Sequence, residues 1–407
     1  MTYRIEKDAV TSGELPFHRL PIVENAQGFT LLSGIKVLDL TSSVAGPYAT
    51  MLLSDFGAEI VKVEKPGGDD ARSWGPPFLD GQSLWFTSVN RNKKSVALDV
   101  TNADDRRLLD TLIADADVVV TNQPPLVQKK LRLDYASIST VKPDVVFVSI
   151  TGFGLTGTRA NLTCYDLIAE GYSGIMDITG AADSEPQKIG APAADMLAGQ
   201  DAAMAAIAAL YERRESGKGR LIDVSLVESM VRFLACRASA YLGSGEVPVR
   251  SGGTDSVIAI YQPFQTADLP ITLGIGSDGI WRRFWQEVGQ PEVGELARYA
   301  TNQLRRQHRS EIVERIQSIM LGEGRASWLQ RFARARVPAG PIYRMDEVTL
   351  DEALIERGLF FALSGEDGTL IPQIGLGIQI DGEPARPRFA PPKFGQHSET
   401  LLKPLRP

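Results

Sequence analysis

The sequence predicts an α/β protein with a parallel, Rossmann-like sheet in a large domain and a second, smaller α/β domain. Three observations predict it. Short apolar runs such as IKVLDL (35–40), DVVVTN (117–122) and DVVFVSI (144–150) are nearly continuous, as in strands buried on both faces. These runs alternate with segments of helical period, the pattern of βαβ units. At 407 residues the chain exceeds one ordinary core, and a Gly- and Pro-punctuated stretch at 243–270 separates a second set of strand and helices.

The elements follow in order. Residues 1–33 lack clear periodicity and read as an N-terminal arm lying on the fold or on a partner subunit. IKVLDL is then a buried strand, SSVAGP a tight turn, and PYATMLLSDFGA (47–58) a helix opened by Pro47. EIVKVEKP (59–66) returns as the second strand, so the first turn aims backbone N–H groups at whatever binds beyond the strand ends. The loop GGDDARSWGPPF follows, carrying Arg72 and Trp74. SVALDV (95–100) is a strand and ADDRRLLDTLIADA (103–116) a helix. GRLIDVSL (219–226) is a further strand, and LVESMVRFLACRASAYLG (226–243) a long helix. ITLGIGS, DGIWRRFWQEVG and two amphipathic helices, 302–320 and 326–336, make the smaller domain. We expect a large domain over 34–225, a linker and small domain over 226–345, and a segment 346–407 with short strands in GTLIPQIGLGIQI.

Composition excludes several classes. No apolar run reaches the roughly 18 residues that span a bilayer, and MTYRIEKDAVTSGELPF resembles neither a signal nor a transit peptide, so a soluble, cytoplasmic protein without a membrane partner is expected. A net charge of −7 argues against a nucleic-acid partner and requires any anionic ligand to find a local basic pocket. Cys164 and Cys236 with His18, His308 and His397 have no ligand spacing, and no metal is expected. Gly152, Gly154 and Gly157 spell G-x-G-x-x-G after a strand, but the polar, irregular TRANLT follows where the fingerprint needs a helix, so neither nicotinamide nor flavin is expected. The next helix places Asp166 and Glu170 on one face, ordinarily a solvated one.

The strongest helical pattern starts at Met196, with Met196, Leu197, Ala203, Met204, Ile207, Leu210 and Tyr211 recurring at spacings of three and four. Asp195 stands at its start, just after Pro192. Two compatible roles follow: an N-cap whose carboxylate accepts orphan N–H groups, or a nucleophile held ionised by the positive helix end.

Seven stretches in order resemble the class III CoA-transferase family, which includes formyl-CoA:oxalate and carnitine CoA-transferases and, as a sister branch, the α-methylacyl-CoA racemases. They are GIKVLDLTSSVAGPYATMLLSDFGAEIVKVEKPGGDDARSWGPP, NRNKKSVALDV, VSITGFGLTGT, GAPAADMLAG, ERRESGKGRLIDVSL, VPAGPIY and PPKFGQHSET. The resemblance implies that 346–407 completes the large domain, that two open-ring subunits interlock as a homodimer, and that the Asp of the GAPAAD-type motif, Asp195, is the nucleophile. It implies coenzyme A as the carried group, moved from an acyl-CoA donor to a free carboxylic acid. The implied CoA contacts are Val44, Ala45, Lys65, Leu98, Thr101, Asn122, Gln123, Lys130, Leu131, Thr163, Cys164, Tyr165 and Asp166. The family's flexible glycine loop corresponds to Gly252 and Gly253. Arg72, Arg91 or Tyr48 is expected to meet a second carboxylate of the acid. The rival racemase reading needs a histidine base where this chain has Tyr165, and a phenol is a poor base at neutral pH. A non-catalytic CoA-binding protein would leave the Asp195 motif serving only as a helix cap.

Overall fold

A computed structural model of the protein describes residues 15–24 and 26–406. The chain divides into two compact units, one drawn from Met1–Gly174, Ile189–Ala238 and Thr349–Pro407, the other from Ile175–Lys188 and Ser239–Val348.

The larger unit is built on β1 (Lys36–Leu40), α1 (Ala45–Asp55), β2 (Glu59–Glu64), β3 (Lys93–Ala97), α2 (Ala103–Asp115), β4 (Val118–Thr121) and β5 (Val146–Thr151). Helices α3 (Asp166–Ser173) and α4 (Ala193–Ser216), strand β6 (Arg220–Ser225) and helix α5 (Leu226–Phe233) follow. The six strands pair in the order β3-β2-β1-β4-β5-β6, every pair parallel. The chain walks outward one way from β1 and the other way from β4, so the crevice beyond β1 and β4 is the switch point where ligands bind in such sheets. Every residue of β4 and β5 is buried, as the apolar runs require. Helix α2 starts where Asn102 Oδ1 accepts from the N–H groups of Asp104 and Asp105, and it buries Leu108, Leu109 and Ile113.

Strand β3 begins at Lys93, earlier than the apolar run suggests, because the Lys93 ammonium finds buried acceptors. The edge of β3 is covered by the C-terminal segment. Ser95 N–H donates to His397 Nδ1 (3.2 Å), Ser95 O accepts from His397 N–H (2.8 Å), and Ala97 N–H donates to Ser398 Oγ (3.0 Å). The helix expected over 226–243 breaks at Leu234, whose N–H is shared by the carbonyls of Met230 and Val231. Of the expected arm, residues 1–14 lie outside the described residues, while Ile22–Val23 joins a sheet in parallel register with Phe360–Ser364.

In the smaller unit, β7 (Ile260–Phe264), β8 (Ile271–Ile275) and β9 (Ala339–Pro341) form an antiparallel sheet. Strand β7 falls in the Gly- and Pro-punctuated stretch at 243–270, where the sequence predicts no strand. Trp281, Phe284, Trp285, Trp328 and Phe332 fill the core against it. The helix expected over 302–320 is two helices, Asn302–Gln307 and Arg309–Met320, parted at His308. Among the described residues no helix is long and apolar enough to cross a membrane.

Candidate active site

A cleft of about 510 Å³ opens beyond the ends of β1, β2, β4 and β5 in the larger unit. Its floor is the turn Thr41–Val44. Ser43 there has φ +70, a conformation a serine holds only when its surroundings enforce it. The enforcing contacts are explicit: Ser42 N–H donates to Asn122 Oδ1 (3.0 Å), Asn122 Nδ2 donates to Ser42 O (2.7 Å), and Ser43 N–H donates to Asp69 Oδ1 (2.9 Å). Two amides expected to face a ligand are therefore engaged by side chains. The amides of Val44 and Ala45, at the start of α1, have no hydrogen-bond acceptor among the described residues.

Beneath the turn lies a buried charge network that sequence reasoning missed. Asp39, Lys62, Asp69 and Lys93 are all buried. Asp39 accepts from Thr41 N–H (2.9 Å), the Thr41 and Thr50 hydroxyls and Lys93 Nζ (3.0 Å). Lys62 Nζ pairs with Asp69 Oδ2 (2.8 Å) and donates to Thr41 O (2.8 Å). Lys93 Nζ also donates to Pro47 O and Asn90 Oδ1, each at 2.8 Å. Burial opposes ionisation of Asp39, but Lys62, Lys93 and the two hydroxyls outweigh it and hold the carboxyl well below the usual range. The network ties β1, β2, β3 and the first turn of α1 into one unit. A signal was available: Asp39 and Lys62 are charges inside otherwise apolar strands, which are buried only when paired.

Asp195 is the third residue of α4, and it does not cap its helix. The preceding Pro192 offers no side-chain acceptor, and the cap comes from α3: Asp166 Oδ1 accepts from Ala194 N–H (2.8 Å) and Asp195 N–H (3.3 Å). Among the described residues no donor is hydrogen-bonded to the Asp195 carboxylate, which lines the cleft. The expectation that the helix end keeps it fully ionised is corrected. Burial, with the charge of Asp166 added, pushes its pKa up to about 7, because the amides that would favour the anion already hold another carboxylate. Burial, then Asp195 and Asp166, push the neighbouring Cys164 thiol up to about 11 and keep it protonated.

Two glycines bring Asp195 to the turn. A Cβ on Gly199, one turn along α4, would lie 2.6 Å from Ala45 O, and one on Gly46 would lie 2.3 Å from Thr41 Cβ. Without a Cβ on Gly199, α4 approaches α1 this closely, and without one on Gly46, α1 packs against Thr41 of the turn. The buried face of α4 is mostly small, Ala194, Ala198, Gly199, Ala202, Ala203 and Ala206 with Leu210 at its far end, while Met204 and Tyr211 from the predicted apolar series are 59% and 71% exposed.

Of the residues expected to contact CoA, the cleft gathers Val44, Ala45, Lys65, Leu98, Thr101, Asn122, Gln123, Leu131, Thr163, Cys164 and Tyr165 around Asp195. Lys130 is exposed and does not line it, and Asp166 is the cap of α4. Lys65 Nζ pairs with Asp70 at 2.7 Å on the surface. The Thr101 hydroxyl donates to Asp99 Oδ1 (2.6 Å), and the Asn122 amide is engaged by the turn. Asp166 and Glu170 do not form a solvated face, since Glu170 is fully buried and accepts from Ile189 N–H (2.9 Å).

Two expected acid-binding residues are otherwise engaged, a correction to the sequence reading. Arg72 makes a two-pronged pair with Glu64 (both 2.7 Å) and stacks on Phe86 at 3.6 Å. Arg91 is buried against Asp55, Gln373 and the Ile374 carbonyl. Tyr48 is half-buried beside Gly199, and burial raises the pKa of its phenol. Gly252 and Gly253 belong to the smaller unit, where Gly252, at φ +61, donates its N–H to Gly180 O (2.8 Å). No helix opens in the Gly152–Gly157 turn, and the next begins at Asp166. Among the described residues no cluster of His, Cys, Asp and Glu is arranged to hold a metal.

A parallel sheet with its cleft at the switch point and an unengaged carboxylate facing it defines an α/β protein with a ligand site there. The chain belongs to CoA-transferase family III, whose sequence model matches residues 32–398. It is 38% identical over 381 residues to a succinate–glutarate CoA-transferase of Agrobacterium fabrum, covering 92% of this chain and 95% of that protein. It is 36% identical over 373 residues to a succinyl-CoA:glutarate CoA-transferase of Mus musculus, covering 91% of this chain and 86% of the other. A crystal structure of a CaiB/BaiF family protein from Brucella suis superimposes with a TM-score of 0.82 at 35% identity, covering 93% of this chain and all of that one. The protein is a class III CoA-transferase, and enzymes of this class take CoA thioesters as substrates.

Proposed function

We propose that acyl and CoA groups are exchanged on Asp195, with CoA lying in the cleft at the switch point. The observation that carries this reading is an unengaged carboxylate lining the cleft among eleven of the positions implied to contact CoA. Asp195 Oδ attacks the donor thioester carbonyl, the C–S bond breaks, and the electron pair leaves on the CoA thiolate, giving an acyl-aspartyl anhydride. The thiolate attacks the aspartyl carbonyl and releases the first acid as its carboxylate. The incoming carboxylate then attacks the aspartyl-CoA thioester carbonyl, the C–S bond breaks and expels the CoA thiolate, and a second acyl-aspartyl anhydride forms; the thiolate attacks its new acyl carbonyl and the Asp195 carboxylate leaves, regenerated. No step releases the acyl group to water, so the thioester's free energy is retained.

The acids are short dicarboxylates, a reading supported by the succinate and glutarate in the relatives' names. Among the described cleft-lining residues Lys65 is the sole cation, against Glu64, Asp69, Asp70, Asp99 and Asp195. A second substrate carboxylate therefore needs a partner from outside this cleft, which favours a site completed in a dimer of interlocked subunits. Exposed apolar residues such as Met204 and Tyr211 on α4, and Leu242 at 81%, accord with such an interface. Tyr48 is the remaining candidate for acid contact. Free Cys164 and Cys236 accord with a cytoplasmic location.

The test is trapping. Incubation with succinyl-CoA and hydroxylamine, followed by peptide mapping, should place a hydroxamate on Asp195. Modification at another residue overturns the assignment. Deuterium wash-in at the α-carbon without acyl exchange would establish an epimerase instead.

A further inference from the structure

Asp166 does more at the start of α4 than a cap requires. Any short oxygen-bearing side chain would satisfy the amides of Ala194 and Asp195, yet a carboxylate accepts from both, at 2.8 and 3.3 Å. It thereby sets a negative charge against the backbone of the residue whose own carboxylate faces the cleft. We propose that Asp166 is a positioning residue for acyl transfer: it fixes the Asp195 backbone through two amides and, by its charge, destabilises the free Asp195 carboxylate relative to its acylated forms. This rests on Asp195 being the nucleophile.

The step that benefits is the attack. When Asp195 Oδ bonds to the acyl carbon and the C–S electron pair departs on sulfur, the Asp195 side chain loses its negative charge, and its repulsion with Asp166 is relieved. A carboxylate held at higher energy is also more basic and a stronger nucleophile. The cap has a second effect: with its amides taken, the α4 terminus cannot hold the carboxylate of an incoming acid, which leaves that acid free to attack the aspartyl thioester.

The other groups on the packed elements do not substitute for it. On α1 the neighbour is Tyr48, a phenol; beside Asp166 lies the Cys164 thiol, and Glu170 is engaged with Ile189 N–H (2.9 Å). On α5, Arg232 pairs with Asp201 further along α4, and Glu228 is exposed. In the cleft Lys65 is paired with Asp70.

Asp166→Asn separates charge from geometry, because the carboxamide oxygen still accepts both amides. In the full chain, with succinyl-CoA and hydroxylamine, the rate of hydroxamate formation on Asp195 should be measured from pH 5 to 9. For D166N the acid limb should move down by about one unit or more, while the rate on the alkaline plateau falls severalfold, so that the two profiles cross. D166A, which also loses the acceptor, should lower the rate roughly tenfold or more at every pH. A cap that only supports the fold would scale the whole profile of D166N without moving its limb. That result, or a D166A rate equal to wild type, overturns the proposal. Hydroxamate on Asp195 of the wild type with an unmoved D166N limb rejects the Asp166 role alone; its absence from wild-type Asp195 rejects the nucleophile reading and this proposal with it.

Discussion

Replacing Asp195 by Asn should abolish CoA transfer and at the same time stabilise the protein, increasingly so as pH rises. Burial and Asp166 raise the Asp195 pKa from 3.8 to about 7. Between those values the native state binds a proton that the unfolded chain has released, so stability falls as pH climbs through this window, and above it the cost is complete. About three pK units at ~1.36 kcal/mol each is ~4 kcal/mol at pH 8, and the same linkage leaves about 2 kcal/mol at pH 5. Asparagine keeps the shape and carries no charge to desolvate, so D195N should recover that difference. For a chain of this length the unfolding entropy converts it into a rise in Tm of roughly 2 °C at pH 5 and roughly 5 °C at pH 8. Differential scanning calorimetry of both proteins at the two pH values, beside a succinyl-CoA exchange assay, is the measurement. A gain in Tm independent of pH, or a D195N melting at or below wild type at pH 8, refutes the electrostatic argument; retained exchange refutes the nucleophile.

Asp39→Asn should cost about 3–5 kcal/mol by urea denaturation at pH 7, because Lys62 and Lys93 lose a buried counter-charge, and the deficit should shrink as pH falls below the unfolded carboxylate value of 3.8. Gly199→Ala places a carbon 2.6 Å from Ala45 O, so α1 and α4 must separate; we expect a loss of about 1–3 kcal/mol and a raised KM for acyl-CoA, both absent if the helices yield without strain. Lys65→Ala removes an exposed pair worth under about 1 kcal/mol to stability, and it should raise KM for acyl-CoA, weaken the salt dependence of binding and leave kcat unchanged. An unaltered KM would remove Lys65 from the phosphate contacts.

The sheet was legible because its central strands are apolar runs between turn formers, and the order of strands and helices leaves few topologies open. A ligand site beyond the strand ends followed from the same βαβ reading, and the observed strand order places it at the switch point. Helix breaks at Leu234 and His308 were not legible, because the helical period of the side chains continues across both. Strand β7 was hidden by Pro263, which sits in an edge strand of its sheet, where a missing N–H costs little. The roles of charged residues were the least legible. Arg72 and Arg91 read as free cations in the sequence, yet their partners, Glu64 and Asp55, lie 8 and 36 residues away. Long-range pairing decides which charge is available to a substrate, and no local pattern encodes it.

Asp195 shows the same limit and its consequence. A sequence places an aspartate at a helix start and invites one explanation, the cap; the fold supplies that cap from Asp166, 29 residues earlier, and so leaves the Asp195 carboxylate without a structural task. A nucleophile must be a group the fold does not itself stabilise, because every hydrogen bond to a carboxylate lowers its energy and its basicity. Delegating the cap to a neighbour meets that requirement, and making the neighbour an anion goes further, since it raises the energy of the free carboxylate and, in the proposed mechanism, leaves the acylated residue unopposed. The stability expected from D195N reads the whole energy by which this fold holds Asp195 above a relaxed carboxylate, burial included, and the crossing pH profiles expected from D166N read the share that the Asp166 charge contributes to it.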